Sequence, residues 1–142
     1  MNKNFKYDDF EIDFKKPLGE GGGGAVYKAT EKKNGNIYAI KRIKIEDLNE
    51  EEIKNMKLLN ECENSIKLYG YFNDGNLIYL IMELCDGNLA QKIKEKNKFT
   101  IKEIKELLEQ LNNVFKIMND NAIIHRDIKP ENNIIKKLEN KY

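Results

Sequence analysis

Ile124-His125-Arg126-Asp127-Ile128-Lys129-Pro130-Glu131-Asn132 is the stretch on which the reading of this chain turns. It falls in a loop with apolar ends, Ile123–Ile135, and places the carboxylate of Asp127 five residues ahead of the side-chain amide of Asn132. A carboxylate can accept a proton and an amide oxygen can hold a hard metal ion, and a loop can bring the two to one point. His125 is the chain's single histidine and the other candidate base.

Upstream the pattern is helical. Thr100-Ile101-Lys102-Glu103 is a capping box, in which hydroxyl and carboxylate each satisfy a backbone N–H at a helix start. Ile101, Ile104, Leu107, Leu108, Leu111, Val114, Phe115 and Met118 then form a 3.6-residue apolar stripe. Earlier still, Ile66–Phe72 and Leu77–Met82 read as a hairpin turned at Asn73-Asp74-Gly75, after a helix over about Asn49–Leu59 with Ile53, Met56 and Leu59 on one side. Toward the N-terminus, Phe10, Ile12 and Phe14 alternate with acidic residues as a strand. Five glycines in the six residues Gly19–Gly24 break it. Ala25–Thr30 and Ile37–Ile43 are strands about an Asn34-Gly35-Asn36 turn. Sheet first and helices later make an α+β chain.

Two further motifs stand in that sheet. Leu18 to Val26 contains G-x-G-x-x-G-x-V at Gly19, Gly21, Gly24 and Val26. Without Cβ atoms a backbone can approach phosphates closely and point N–H groups at them. The run lies between two strands, not between strand and helix, which argues against a dinucleotide fingerprint; alone, it fits a flexible hairpin tip equally well. Tyr38-Ala39-Ile40-Lys41 puts a lysine on an apolar strand, a partner for phosphates or an ordinary solvent-facing ammonium.

In this order and spacing the three motifs resemble the eukaryotic protein kinase catalytic domain, from about Phe10 to Ile135. The resemblance implies a five-stranded antiparallel N-lobe sheet with one main helix and an incomplete helical C-lobe. Its divisions would be a polar lead-in at 1–9, the N-lobe at 10–82, a hinge at 83–87 and a partial C-lobe at 88–142. It implies ATP and Mg²⁺ as cofactors, and phosphorylation of Ser/Thr hydroxyls in proteins, since Lys129-Pro130-Glu131-Asn132 resembles the Ser/Thr class. By resemblance, Gly19, Gly21 and Gly24 cover the phosphates. Leu18, Val26 and Ala39 lie above the adenine, and Ile134 lies below it. Lys41 touches the α- and β-phosphates. Met82 is the gatekeeper, and backbone groups of Glu83 and Cys85 bond the adenine edge. Asp127 orients the substrate hydroxyl, Lys129 steadies the γ-phosphate and Asn132 binds one Mg²⁺. His125 packs structurally in the family, which leaves the base role to Asp127. Glu52 is the expected partner of Lys41; Glu51 could substitute, and Glu52 also stands at cap-to-N3 spacing from Asn49.

Gly23 departs from the aromatic or small residue usual before the third glycine, and Asn133 from an apolar one. The extra glycine predicts a floppier loop and weaker nucleotide clamping, to be read from the ATP affinity of Gly23→Phe. The 142 residues end shortly before the family's D-F-G would fall. The expectation is therefore a fragment without activity of its own; the alternative is a non-catalytic module that binds nucleotide or a protein partner. The stripe on the Thr100–Asn119 helix would then lack cover and favour self-association.

Composition closes off other classes. The formal net charge is +1, and Arg42 and Arg126 are the only arginines, so nucleic acid is not an expected partner. Cys62 and Cys85 have no metal-ligand spacing and read as reduced thiols. The polar start shows no signal peptide, and the longest apolar-rich run, Leu77–Cys85, is too short to span a bilayer. A cytoplasmic protein with no membrane partner is expected.

Overall fold

The computed structural model describes residues 4–126, 128–132 and 134–135, the last two by backbone alone, so Asp127, Asn133 and the Ile134 side chain lie outside what is described. The chain divides into two compact units, Met1–Leu58 with Lys67–Leu84, and Leu59–Ile66 with Cys85–Tyr142.

The first unit is an antiparallel sheet of β1 (Phe10–Ile12), β2 (Gly19–Gly21), β3 (Gly24–Glu31), β4 (Ile37–Lys44), β5 (Leu68–Asp74) and β6 (Leu77–Met82), in the order β1-β3-β4-β6-β5 with β2 also on β3. β1 pairs with the end of β3 (Phe10↔Glu31) and β2 with its start (Gly19↔Val26). The two short strands thus share one edge, and the sheet has the five strand positions expected. Residues directly opposite in an antiparallel pair share a face. One face gathers Phe10, Ala29, Tyr38, Ile40, Phe72, Tyr79 and Ile81 into a buried cluster. Phe5 joins it at 6% exposure, its ring 5.4 Å from Phe10. Residues before the first strand therefore contribute to the core, which their polar composition concealed. Burial pushes the Tyr79 hydroxyl up from its ordinary pKa, reinforced by Tyr7 and Asp74 and opposed by Arg42.

The other face carries Val26, Ala39, Lys41, Leu80 and Met82 by register. Helix α1 (Glu50–Leu59) is opened by Asn49, whose Oδ1 accepts from the Glu51 N–H at 3.1 Å, and it buries Ile53. Three consecutive acidic residues in its first turn suit the positive end of the helix dipole.

Two expectations change here. The first strand ends at Ile12, not Phe14: the Phe14 N–H turns back to the Ile12 carbonyl at 3.1 Å, and its ring packs on Tyr27 with centroids 5.0 Å apart. Gly19–Gly21 and Gly24 do not interrupt the sheet; they are strand residues, because ladder hydrogen bonds need only the main chain, and the turn is Gly22-Gly23.

The second unit holds β7 (Gly87–Asn88), α2 (Leu89–Lys96), α3 (Ile101–Asp120), a single 3-10 turn at Pro130–Asn132, and β8 (Ile134–Ile135). α3 starts at the predicted capping box, with the Glu103 N–H 3.2 Å from Thr100 Oγ1 and the Thr100 N–H 2.9 Å from Glu103 Oε2. α2 had no counterpart in the sequence reading. Its signal was a second box, Asn88 with Gln91, closed at 2.9 and 3.0 Å. The apolar end of the expected loop is strand β8, which pairs with β7 (Gly87↔Ile135). Among the described residues no helix is long and apolar enough to cross a membrane.

Candidate functional site

The charged centre of the first unit is Lys41. Its strand position is fixed by Val26 on one side and Leu80 on the other. Its Nζ lies 2.5 Å from Glu52 Oε1. The competing choices are settled by geometry. Glu51 faces Lys54 at 3.6 Å, and the cap of α1 is supplied by Asn49 without the Glu52 side chain. Glu52 is half-buried at the edge of the face on which α1 buries Ile53, whereas Glu51 is exposed. A lysine held this way keeps its ammonium fixed and aimed, with donors left for an anion.

The glycine run lies over that ammonium. A Cβ placed on Gly23 would stand 3.3 Å from Lys41 Nζ. Gly24 has φ +106, and a Cβ there would be 2.3 Å from the Arg42 carbonyl oxygen, so this position admits glycine alone. At Gly19 and Gly21 a Cβ would meet nothing within 4 Å, while their main chain pairs with Val26 and Gly24 in the ladder. The Leu18 N–H donates to the Val26 carbonyl at 2.7 Å, closing the base of the loop, while the Leu18 side chain is exposed.

Apolar residues flank the ammonium on the same face. Ala39 and Met82 are buried and directly paired, and Val26 is half-buried. A flat apolar ring would find contact with them, and a triphosphate would find the ammonium and the glycine backbone. The Glu83 N–H already donates to the Lys67 carbonyl at 2.9 Å, so that N–H is not what an adenine edge would meet. Cys85 belongs to the second unit.

In the second unit, α2 and β7 pack against the turn Pro130–Asn132, which the Asn132 N–H closes onto the Lys129 carbonyl at 3.0 Å. Lys129 and Asn132 are therefore presented from one short, supported loop, and both are exposed. Arg126 has φ +65, a left-handed conformation that costs a non-glycine residue about 1–2 kcal/mol. Such a conformation persists where the surroundings impose it, and here it immediately precedes Asp127, which is outside the described residues. The Arg126 backbone had no signal in the residue types, and Gly23 was marked by its departure from the family pattern but not by its place beside the ammonium.

The chain matches the protein kinase domain family over residues 12–141. It is 37% identical over 139 residues to an Aurora kinase of Schizosaccharomyces pombe, 34% to Aurora kinase B-A of Xenopus laevis and 33% to Aurora kinase B of Xenopus tropicalis. Each alignment covers 92% of this chain and 38% of the relative, so the chain spans a little over a third of the length of these proteins.

Proposed function

The chain belongs to the protein kinase domain family, and on that premise we propose that it carries the ATP-binding and hydroxyl-activating parts of a Ser/Thr protein kinase. The observation that carries this reading is the Lys41–Glu52 pair, 2.5 Å long, beneath a glycine turn and beside an apolar sheet face. Ammonium, a glycine turn without side chains and apolar contact are what phosphates and an adenine require, so the residues present fit the nucleotide.

In this reading Lys41 binds the α- and β-phosphates, held in aim by Glu52. Gly19, Gly21 and Gly24 lay main-chain N–H groups over the phosphates, and Leu18, Val26, Ala39, Met82 and Ile134 enclose the adenine. The Glu83 carbonyl and the Cys85 backbone meet its edge. Asp127 accepts the proton of the substrate hydroxyl as that oxygen attacks the γ-phosphorus and the bond from that phosphorus to the β,γ-bridging oxygen breaks, releasing ADP, and Lys129 offsets charge on the transferred group. Asn132 presents a carboxamide oxygen, a hard donor of the kind Mg²⁺ prefers. Bound Mg²⁺ supplies neutralisation of phosphate charge.

The test is transfer of the labelled terminal phosphate of ATP to a peptide library containing Ser, Thr and Tyr. The enzyme should be the longest product of the coding frame that contains these residues. Label on Ser and Thr, lost in Asp127→Asn and Lys41→Met, is expected. Label on Tyr alone, or transfer untouched by Asp127→Asn, contradicts the proposal. Nucleotide binding with no transfer would favour the non-catalytic module, to which the excess of glycine gives some support.

A further inference from the structure

Asn34-Gly35 is the one Asn-Gly pair in the chain, at the turn between β3 and β4, and the nucleotide reading makes no use of it. The Asn34 side chain is engaged at both of its polar atoms. Its Nδ2 donates to Glu31 Oε2 at 2.8 Å, and its Oδ1 accepts from the Asn36 N–H at 2.9 Å. Among the described residues Glu31 is the one buried charged side chain, at 8% exposure, and the Tyr38 hydroxyl donates to the same Oε2 at 3.0 Å. The Gly35 N–H donates to the Glu31 carbonyl at 2.8 Å, with Gly35 at φ +74.

An Asn-Gly pair carries a reaction of its own. With no Cβ on the second residue, its nitrogen can reach the asparagine Cγ. The Gly35 nitrogen, having given its proton to solvent, attacks Asn34 Cγ. The Cγ–Nδ2 bond breaks, Nδ2 leaves as ammonia with a proton from solvent, and a succinimide closes. Water then adds to either ring carbonyl and breaks its bond to nitrogen, leaving aspartate or isoaspartate. The closed turn withholds both partners. The Gly35 hydrogen is held by the Glu31 carbonyl, and hydrogen bonds at Oδ1 and Nδ2 fix Cγ. The product does not suit the turn either. A carboxylate in place of the amide has no hydrogen for Glu31, and its oxygen would oppose the Glu31 oxygen at a buried site. We propose that Asn34 is a gated deamidation site, shielded while the turn is closed, reactive once it opens, and converted to a residue that the turn does not take back.

The experiment incubates the 142-residue chain at one pH and temperature, folded and in guanidinium chloride, and follows aspartate and isoaspartate at residue 34 by peptide mass spectrometry. Conversion should be slower in the folded chain by about tenfold or more, since the turn must first open. Urea unfolding of the parent, Asn34→Asp and Glu31→Gln/Asn34→Asp tests the product. Asn34→Asp should lower the midpoint. Glu31→Gln added to it should raise the midpoint again, because a glutamine amide can donate to the new carboxylate. If Asn34→Asp does not fold, a double variant that does fold supports the same reading. Equal rates in the folded and unfolded chain, an Asn34→Asp midpoint equal to the parent's, or a double variant no more stable than Asn34→Asp overturns the proposal. All of these outcomes leave the nucleotide reading untouched.

Discussion

At the scale of single residues, the sequence marked Lys41 by its strand motif and Glu52 by the family resemblance, and the two side chains meet at 2.5 Å. The identity of the helix carboxylate needed the structure, since Glu51, Glu52 and a cap share two adjacent positions. Glu52→Gln should shift unfolding free energy by less than about 1 kcal/mol, because the pair is partly exposed. It should weaken ATP binding about tenfold, since a charge-assisted bond that orients Lys41 is lost. Calorimetric titration beside urea unfolding separates the two effects. The glycines divide in the same way. Gly24→Ala must accommodate both φ +106 and a 2.3 Å approach to the Arg42 carbonyl, so a loss of about 1–3 kcal/mol is expected. Gly22→Ala has open space and should lie within about 0.5 kcal/mol of the parent.

At the scale of elements, strong periodicity made α3 legible, and weak periodicity hid α2, whose eight residues include three lysines and a glutamate. β2 was missed because glycine has no side chain to alternate, although its main chain pairs as well as any other. The capping box that revealed α3 also has a pH signature. The hydrogen bond from Lys96, and then those from the Thr100 backbone and hydroxyl, lower the Glu103 pKa from its ordinary 4.5 to about 2. A carboxylate whose pKa is depressed in the folded chain stabilises it above pH 4.5, and that contribution fades as the pH falls toward 2. The parent should therefore lose helical circular dichroism over this window by more than Glu103→Gln does. Identical acid profiles would show that the cap is not coupled to the charge.

At the scale of the whole chain, each unit carries an apolar feature with a measurable consequence. In the first, the sheet separates an aromatic face from a face bearing Lys41, and Phe5 seals the aromatic one. Phe5→Ala should cost about 3 kcal/mol, the low end for a buried phenylalanine, in thermal or urea unfolding. In the second, the α3 stripe was legible, and its lack of cover is visible in Ile101 and Leu108, 75% and 58% exposed. Apolar surface of this kind drives association. Sedimentation velocity of the 142-residue chain should show oligomers that diminish in Ile104→Glu/Leu108→Glu.

The most direct trial of the account is to label the chain with an acyl-phosphate derivative of ATP, which acylates an amine lying beside the bound phosphates, and to locate the adduct by mass spectrometry. The account predicts acylation concentrated on Lys41, suppressed by excess ATP and abolished when Gly24→Ala distorts the turn above it. Acylation spread evenly over surface lysines and indifferent to ATP would contradict it.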